Sequence, residues 1–157
     1  MRFSFDTLSP FLCTRDKLMV RVYGNPLSYK RTGGYNRFDT QKREKKEFLD
    51  ALFAYYALHG VRPASFGKDD VHVVATFVFA RRNGKIPNDV DNLSKFLLDC
   101  LQLPYVCDDG TVVKTYDNDN QVLKLCVEKQ YGDVPMTQFS ITRVPVVIDL
   151  TNDTFEI

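Results

Sequence analysis

The sequence predicts an α+β fold: a small mixed β-sheet with two main helices packed on one face. Three observations predict the class. Runs rich in β-branched and aromatic residues occur at 17–23, 72–80, 121–130 and 137–143. Two stretches, 40–58 and 91–103, instead carry apolar residues at helical spacing. The resulting order, β-loop-α-β-α-β-β, packs helices against one sheet instead of alternating through a doubly wound one.

Taken along the chain, residues 1–16 read as an N-terminal extension, 17–143 as the domain, and 144–157 as an acidic C-terminal tail. After the first strand, 24–36 is a basic loop punctuated by Pro26, Gly33 and Gly34. In the first helix Phe48, Leu49, Leu52, Phe53 and Tyr56 share a face, and Gly60 and Pro63 end it. Its charged start, Lys42 to Lys46, reads as a solvated face. The strand 72–80 is broken by Asn83-Gly84. Leu93, Phe96, Leu97, Cys100 and Leu101 form the apolar stripe of the second helix, and Pro104 stops it. Gly132, Asp133 and Pro135 make the turn between the last two strands, and 146–150 can add an edge strand.

With 157 residues and 44% hydrophobic content, including 12 Phe and 8 Tyr, the chain can fill one core. No apolar run reaches the roughly 18 residues that span a bilayer. The first thirteen residues lack the basic-then-apolar pattern of a secretory signal, so the expected location is intracellular. The four cysteines form no CxxC pair, and His59 and His72 stand alone, so no zinc site is expected. Cys100 and Cys126 lie in apolar stretches and read as buried, reduced thiols.

The net charge of +1 hides a polarised distribution. Residues 28–46 hold seven basic side chains (Lys30, Arg31, Arg37, Lys42, Arg43, Lys45, Lys46) against two acidic ones. Arg81, Arg82 and Lys85 form a second basic group, whereas 144–157 is charged only by Asp149, Asp153 and Glu156. Such polarity can steer a polyanion.

The strongest chemical signal is the segment NDVDNLSK, Asn88 to Lys95. Pro87 disfavours helix just before it, so Asp89 and Asp91 straddle a helix start. Two carboxylates so placed can converge on one hard cation such as Mg²⁺. Lys95, four residues after Asp91, projects from the same face and can neutralise charge on a phosphate. The plainer alternative is that Asp89 caps the helix, Asp91 favours its dipole, and Asp91–Lys95 is a surface ion pair. Two later acidic groups can supply a third carboxylate: Asp108-Asp109 in a turn, and Asp117 and Asp119 before the strand 121–130. Turn chemistry explains both equally well.

Two ordered blocks, NDVDNLSKFLLDCL and NDNQVLKLCVEKQYGD, resemble RusA-type Holliday junction resolvases. That family shows Asp-x-Asp-Asn-Leu-x-Lys running into Leu-Asp-x-Leu, then Asp-x-Gln-Val on a strand ending in Lys. Gly24-Asn25-Pro26 and Lys30-Arg31 are similar to its early loop. The resemblance implies Asp89 and Asp91 as paired metal ligands, Lys95 as the catalytic lysine, and Asp119 as the third acid. Asp109 is the alternative third ligand, since Asp119 requires an insertion between 104 and 117. Further implications are Mg²⁺ dependence, with Mn²⁺ able to substitute, and a homodimer nicking a four-way DNA junction. Lys30, Arg31, Arg37, Arg81, Arg82 and Lys85 would then hold DNA phosphates, and Tyr29 and Tyr35 could stack on unpaired bases. The competing readings are a nuclease for flaps and forks, and a DNA-binding protein of the same fold without catalysis.

Overall fold

The computed structural model describes residues 2–30, 41–80 and 88–145. In chain order the elements are β1 (Leu12–Cys13), β2 (Lys17–Tyr23), α1 (Lys42–His59), β3 (Val71–Ala80), α2 (Val90–Gln102), β4 (Tyr105–Val106) and β5 (Val112–Val113), followed by a 3-10 turn (Asp119–Gln121), β6 (Val122–Gly132) and β7 (Met136–Arg143). Five strands form one sheet in the order β1-β2-β7-β3-β6, and β4 and β5 make a separate hairpin. β3 and β6 are parallel while the other neighbours are antiparallel, which makes the sheet mixed, as the sequence predicts.

Register explains why one face is buried. Val20 lies beside Phe139, Phe139 beside Ala75, and Ala75 beside Val127, so one row of apolar side chains crosses four strands. Successive side chains on a strand alternate faces, and β2 shows the consequence: Leu18, Val20 and Val22 are buried while their neighbours are not. Phe48, Leu52 and Tyr56 of α1 and Leu93, Phe96 and Leu97 of α2 belong to the same core, so both helices cover that face. α1 stops where Gly60 adopts a left-handed conformation, φ 63°, that few other residues tolerate.

Three readings of the sequence change, and the segment after α2 gains a structure that was not predicted. The N-terminal segment is anchored, not peripheral: Phe3 is fully buried, with its ring 5.2 Å from Phe48 and 6.3 Å from Phe96, and Ser4 bridges to Tyr23. Lys45 does not lie on a solvated face. It is buried between the helices, where Asp99 faces it at 3.7 Å and offsets the cost of burying the charge. Cys126 is exposed, because it points away from the helix-covered face of the outermost strand, while Cys100 is buried. The segment between Pro104 and Asp117 is the β4–β5 hairpin, seated on α1 by Tyr105, whose ring stacks 3.9 Å from Phe53 and whose hydroxyl donates to Asp50. The expected edge strand at 146–150 and the acidic tail lie outside the described residues. No helix among the described residues is long and apolar enough to cross a membrane.

Candidate active site

α2 begins at Asp89, whose extended backbone and carboxylate make it the N-cap: Oδ1 accepts the Asn92 amide at 2.9 Å. The capping role expected of this residue is therefore real, yet both Asp89 and Asp91 stay exposed. Asp91 makes no hydrogen bond or ion pair with any described residue. The surface ion pair between Asp91 and Lys95 does not form. The Lys95 ammonium instead lies over the Tyr29 ring, 4.3 Å from its centroid, where the electron-rich face attracts a cation.

Two long-range contacts brace this helix start. The Tyr29 amide donates to the Asn92 carbonyl at 2.8 Å, bringing the β2–α1 loop against the first turn of α2. The same loop is tied to α1 by Gln41, buried at its start, which donates to the Ser28 carbonyl and accepts the Lys30 amide. From the other side, the Lys129 ammonium on β6 donates to the Asn88 carbonyl at 2.6 Å. Tyr29 and Lys129 thus hold the aspartate segment between a loop and the sheet. The sequence marks Tyr29 only as an aromatic in a basic loop, and Lys129 only as the lysine that follows Gln121-Val122 in the second block. Nothing local predicts either contact.

The carboxylate expected as the third ligand lies elsewhere. Asp119 accepts Gln102 Nε2 at 2.7 Å and the Tyr116 hydroxyl at 2.9 Å. Gln102 is the last residue of α2 and Asp91 belongs to its first turn, so about 16 Å of helix separates the two ends. Burial, reinforced by the Asp119 charge, pushes the Tyr116 phenol far above its ordinary range. Gln121 fixes this turn. Its carbonyl accepts the amides of Asp117 and Asn118, and its amide donates to the carbonyls of Gly67 and Asp69. Asp109 is also remote: it accepts the Thr111 amide, which holds its carboxyl below the usual range, and lines a cleft of about 1070 Å³ between the hairpin and α1. None of Asp89, Asp91 and Lys95 borders that cleft.

Among the described residues, no three His, Cys, Asp or Glu side chains gather closely enough to hold a metal. Two carboxylates do suit Mg²⁺, which keeps several waters and shares phosphate oxygens, and Asp91 has no competing partner. Of the expected DNA contacts, Lys30 is exposed directly beside Tyr29. Arg31, Arg37, Arg81, Arg82 and Lys85, with Tyr35, lie outside the described residues.

A two-layer α+β domain that presents paired carboxylates and a lysine from one helix start has the layout of a nuclease. The family model for endodeoxyribonuclease RusA matches residues 23–142, and the chain belongs to that family. No curated protein sequence gives a significant match.

Proposed function

We propose that the chain is a Mg²⁺-dependent endonuclease that resolves four-way DNA junctions as a homodimer. The observation that carries this reading is Asp91: a carboxylate without a partner, beside a second carboxylate and one turn before a lysine. A free anionic side chain on a helix start does little for stability but is ready to ligate. Bound Mg²⁺ supplies an acidified water and offsets charge on the scissile phosphate. Asp89 and Asp91 hold it, with Asp89 kept in place by its cap to Asn92. Lys95 meets negative charge on the phosphate or the leaving oxygen, and Tyr29 limits where its ammonium can swing. Lys30, with Arg31, Arg37, Arg81, Arg82 and Lys85, holds the DNA arms through phosphates without reading sequence.

Because Asp119 is bound at the far end of α2 in its own chain, we assign the third carboxylate to Asp119 of a second copy. A two-fold dimer then has two equivalent sites for two strands.

The test is nicking of a synthetic four-way junction in Mg²⁺ or Mn²⁺, beside a flap and a linear duplex at equal concentration. The wild type should cut the junction fastest and stop with chelator. Asp91→Asn should bind the junction and fail to cut it. Equal rates on all three substrates would remove the junction preference and leave a broader branched-DNA nuclease. Co-expressed Asp91→Asn and Asp119→Asn chains should regain nicking, since a mixed dimer has one intact site. No recovery would place the third ligand elsewhere.

A further inference from the structure

β6 is an edge strand of 11 residues, paired with β3 on one side and, among the described residues, with no strand on the other. Its burial is slight for so long a strand. Leu123 is 58% exposed and Leu125 40%, and Val74 on the adjoining β3 is 48% exposed. A long edge with apolar side chains and unpaired backbone groups is a template for another strand.

We propose that the outer edge of β6 pairs antiparallel with β6 of a second copy, about a two-fold axis at Cys126. The sequence of the strand selects this register. Directly opposed residues in an antiparallel pair point to the same face, so only registers that match even with even positions are allowed. Centring on Cys126 sets Lys124 against Glu128 of the second copy, twice by symmetry. Centring on Leu125 sets Lys124 against Cys126, and centring on Val127 sets it against Gln130. The registers at Lys124 and at Glu128 oppose like charges. Only the Cys126 register joins opposite charges across the axis, a stabilising arrangement on a sheet.

The other face agrees. In the same register Leu125 meets Val127 of the second copy, on the side of the sheet that the helices cover. An axis perpendicular to the sheet keeps the helices of both copies on one side. The two sheets become one of ten strands, and the exposed leucines are covered. This gives the homodimer of the proposed function a surface, and it rests on that reading only for the number of copies.

Charge exchange tests the register. Along one strand Lys124 and Glu128 are about 13 Å apart, too far to pair within a chain. Lys124→Glu and Glu128→Lys should each raise the dimer dissociation constant at least about tenfold, as two attractive pairs become repulsive. A one-to-one mixture of the two variants should restore the dimer, because every pair is then opposite in sign. This is measured by analytical ultracentrifugation. In a Cys13→Ser, Cys107→Ser background, mild oxidation should link two chains through Cys126, and adding Cys126→Ser should abolish the link. Single variants that dimerise normally, a mixture that stays monomeric, or an absent cross-link would overturn this interface. A wild type that is monomeric at all concentrations would overturn the homodimer itself. Failure of junction nicking in a protein that passes these tests would count against the proposed function alone.

Discussion

The two ends of α2 carry similar residues and use them differently. At its C-terminal end Asp119 is engaged by Gln102 and by the buried Tyr116, and Gln121 ties the adjoining turn to the Gly67–Asp69 carbonyls. At its N-terminal end Asp91 has no partner, Asp89 uses mainly one oxygen, and Lys95 rests on an aromatic face instead of a carboxylate. Asp119 is held in place by its partners and adds to stability there, whereas Asp91 is left without a partner in its own chain. The free end is still precisely placed, because backbone contacts from Tyr29 and Lys129 hold it without consuming its carboxylates.

The largest expected effect separates the ends directly. Asp91→Ala should lower junction nicking by orders of magnitude and leave the unfolding midpoint unchanged. Asp119→Ala should stop nicking as well, because it empties the third ligand position of the partner's site, and should in addition destabilise the fold by about 1–2 kcal/mol, since hydrogen bonds from a buried hydroxyl and an amide to a charged acceptor are lost. Thermal unfolding of both variants checks this, and an Asp91→Ala protein as destabilised as Asp119→Ala would erase the distinction. Gln121→Ala, next in size, removes a buried amide that makes four hydrogen bonds. It should cost about 2–3 kcal/mol, or roughly 7 °C in midpoint. The smallest effect tests the brace. Tyr29→Leu should slow nicking about fivefold, matching loss of about 1 kcal/mol of restraint on Lys95, while Tyr29→Phe keeps the ring and the rate. Single-turnover rates on saturated junction measure this, and equal rates for the two variants would remove Tyr29 from the site.

Much of the scaffold was legible from periodicity. Both helices and all four long strands lie within about two residues of their expected bounds, because apolar spacing reports directly which face an element buries. β1 and the β4–β5 hairpin were missed, since two-residue strands have no period to read. Phe3 looked peripheral because its partners, Phe48 and Phe96, are more than forty residues away. Lys45 looked solvated because a helical charge run says nothing about an Asp99 on the other helix.

The site divides in the same way. That Asp89, Asp91 and Lys95 share one helix start was legible in the sequence, because one turn of helix sets their mutual placement: spacing along a regular element is local geometry. The family resemblance narrowed the expected third acid to Asp119 or Asp109. Only the tertiary structure decided that neither reaches the pair within the chain, for that depends on β6 running parallel to β3 and on α2 returning between them. This path carries the residues just before β6 to the last turn of α2, and carries Lys129, near the end of the same strand, to the first.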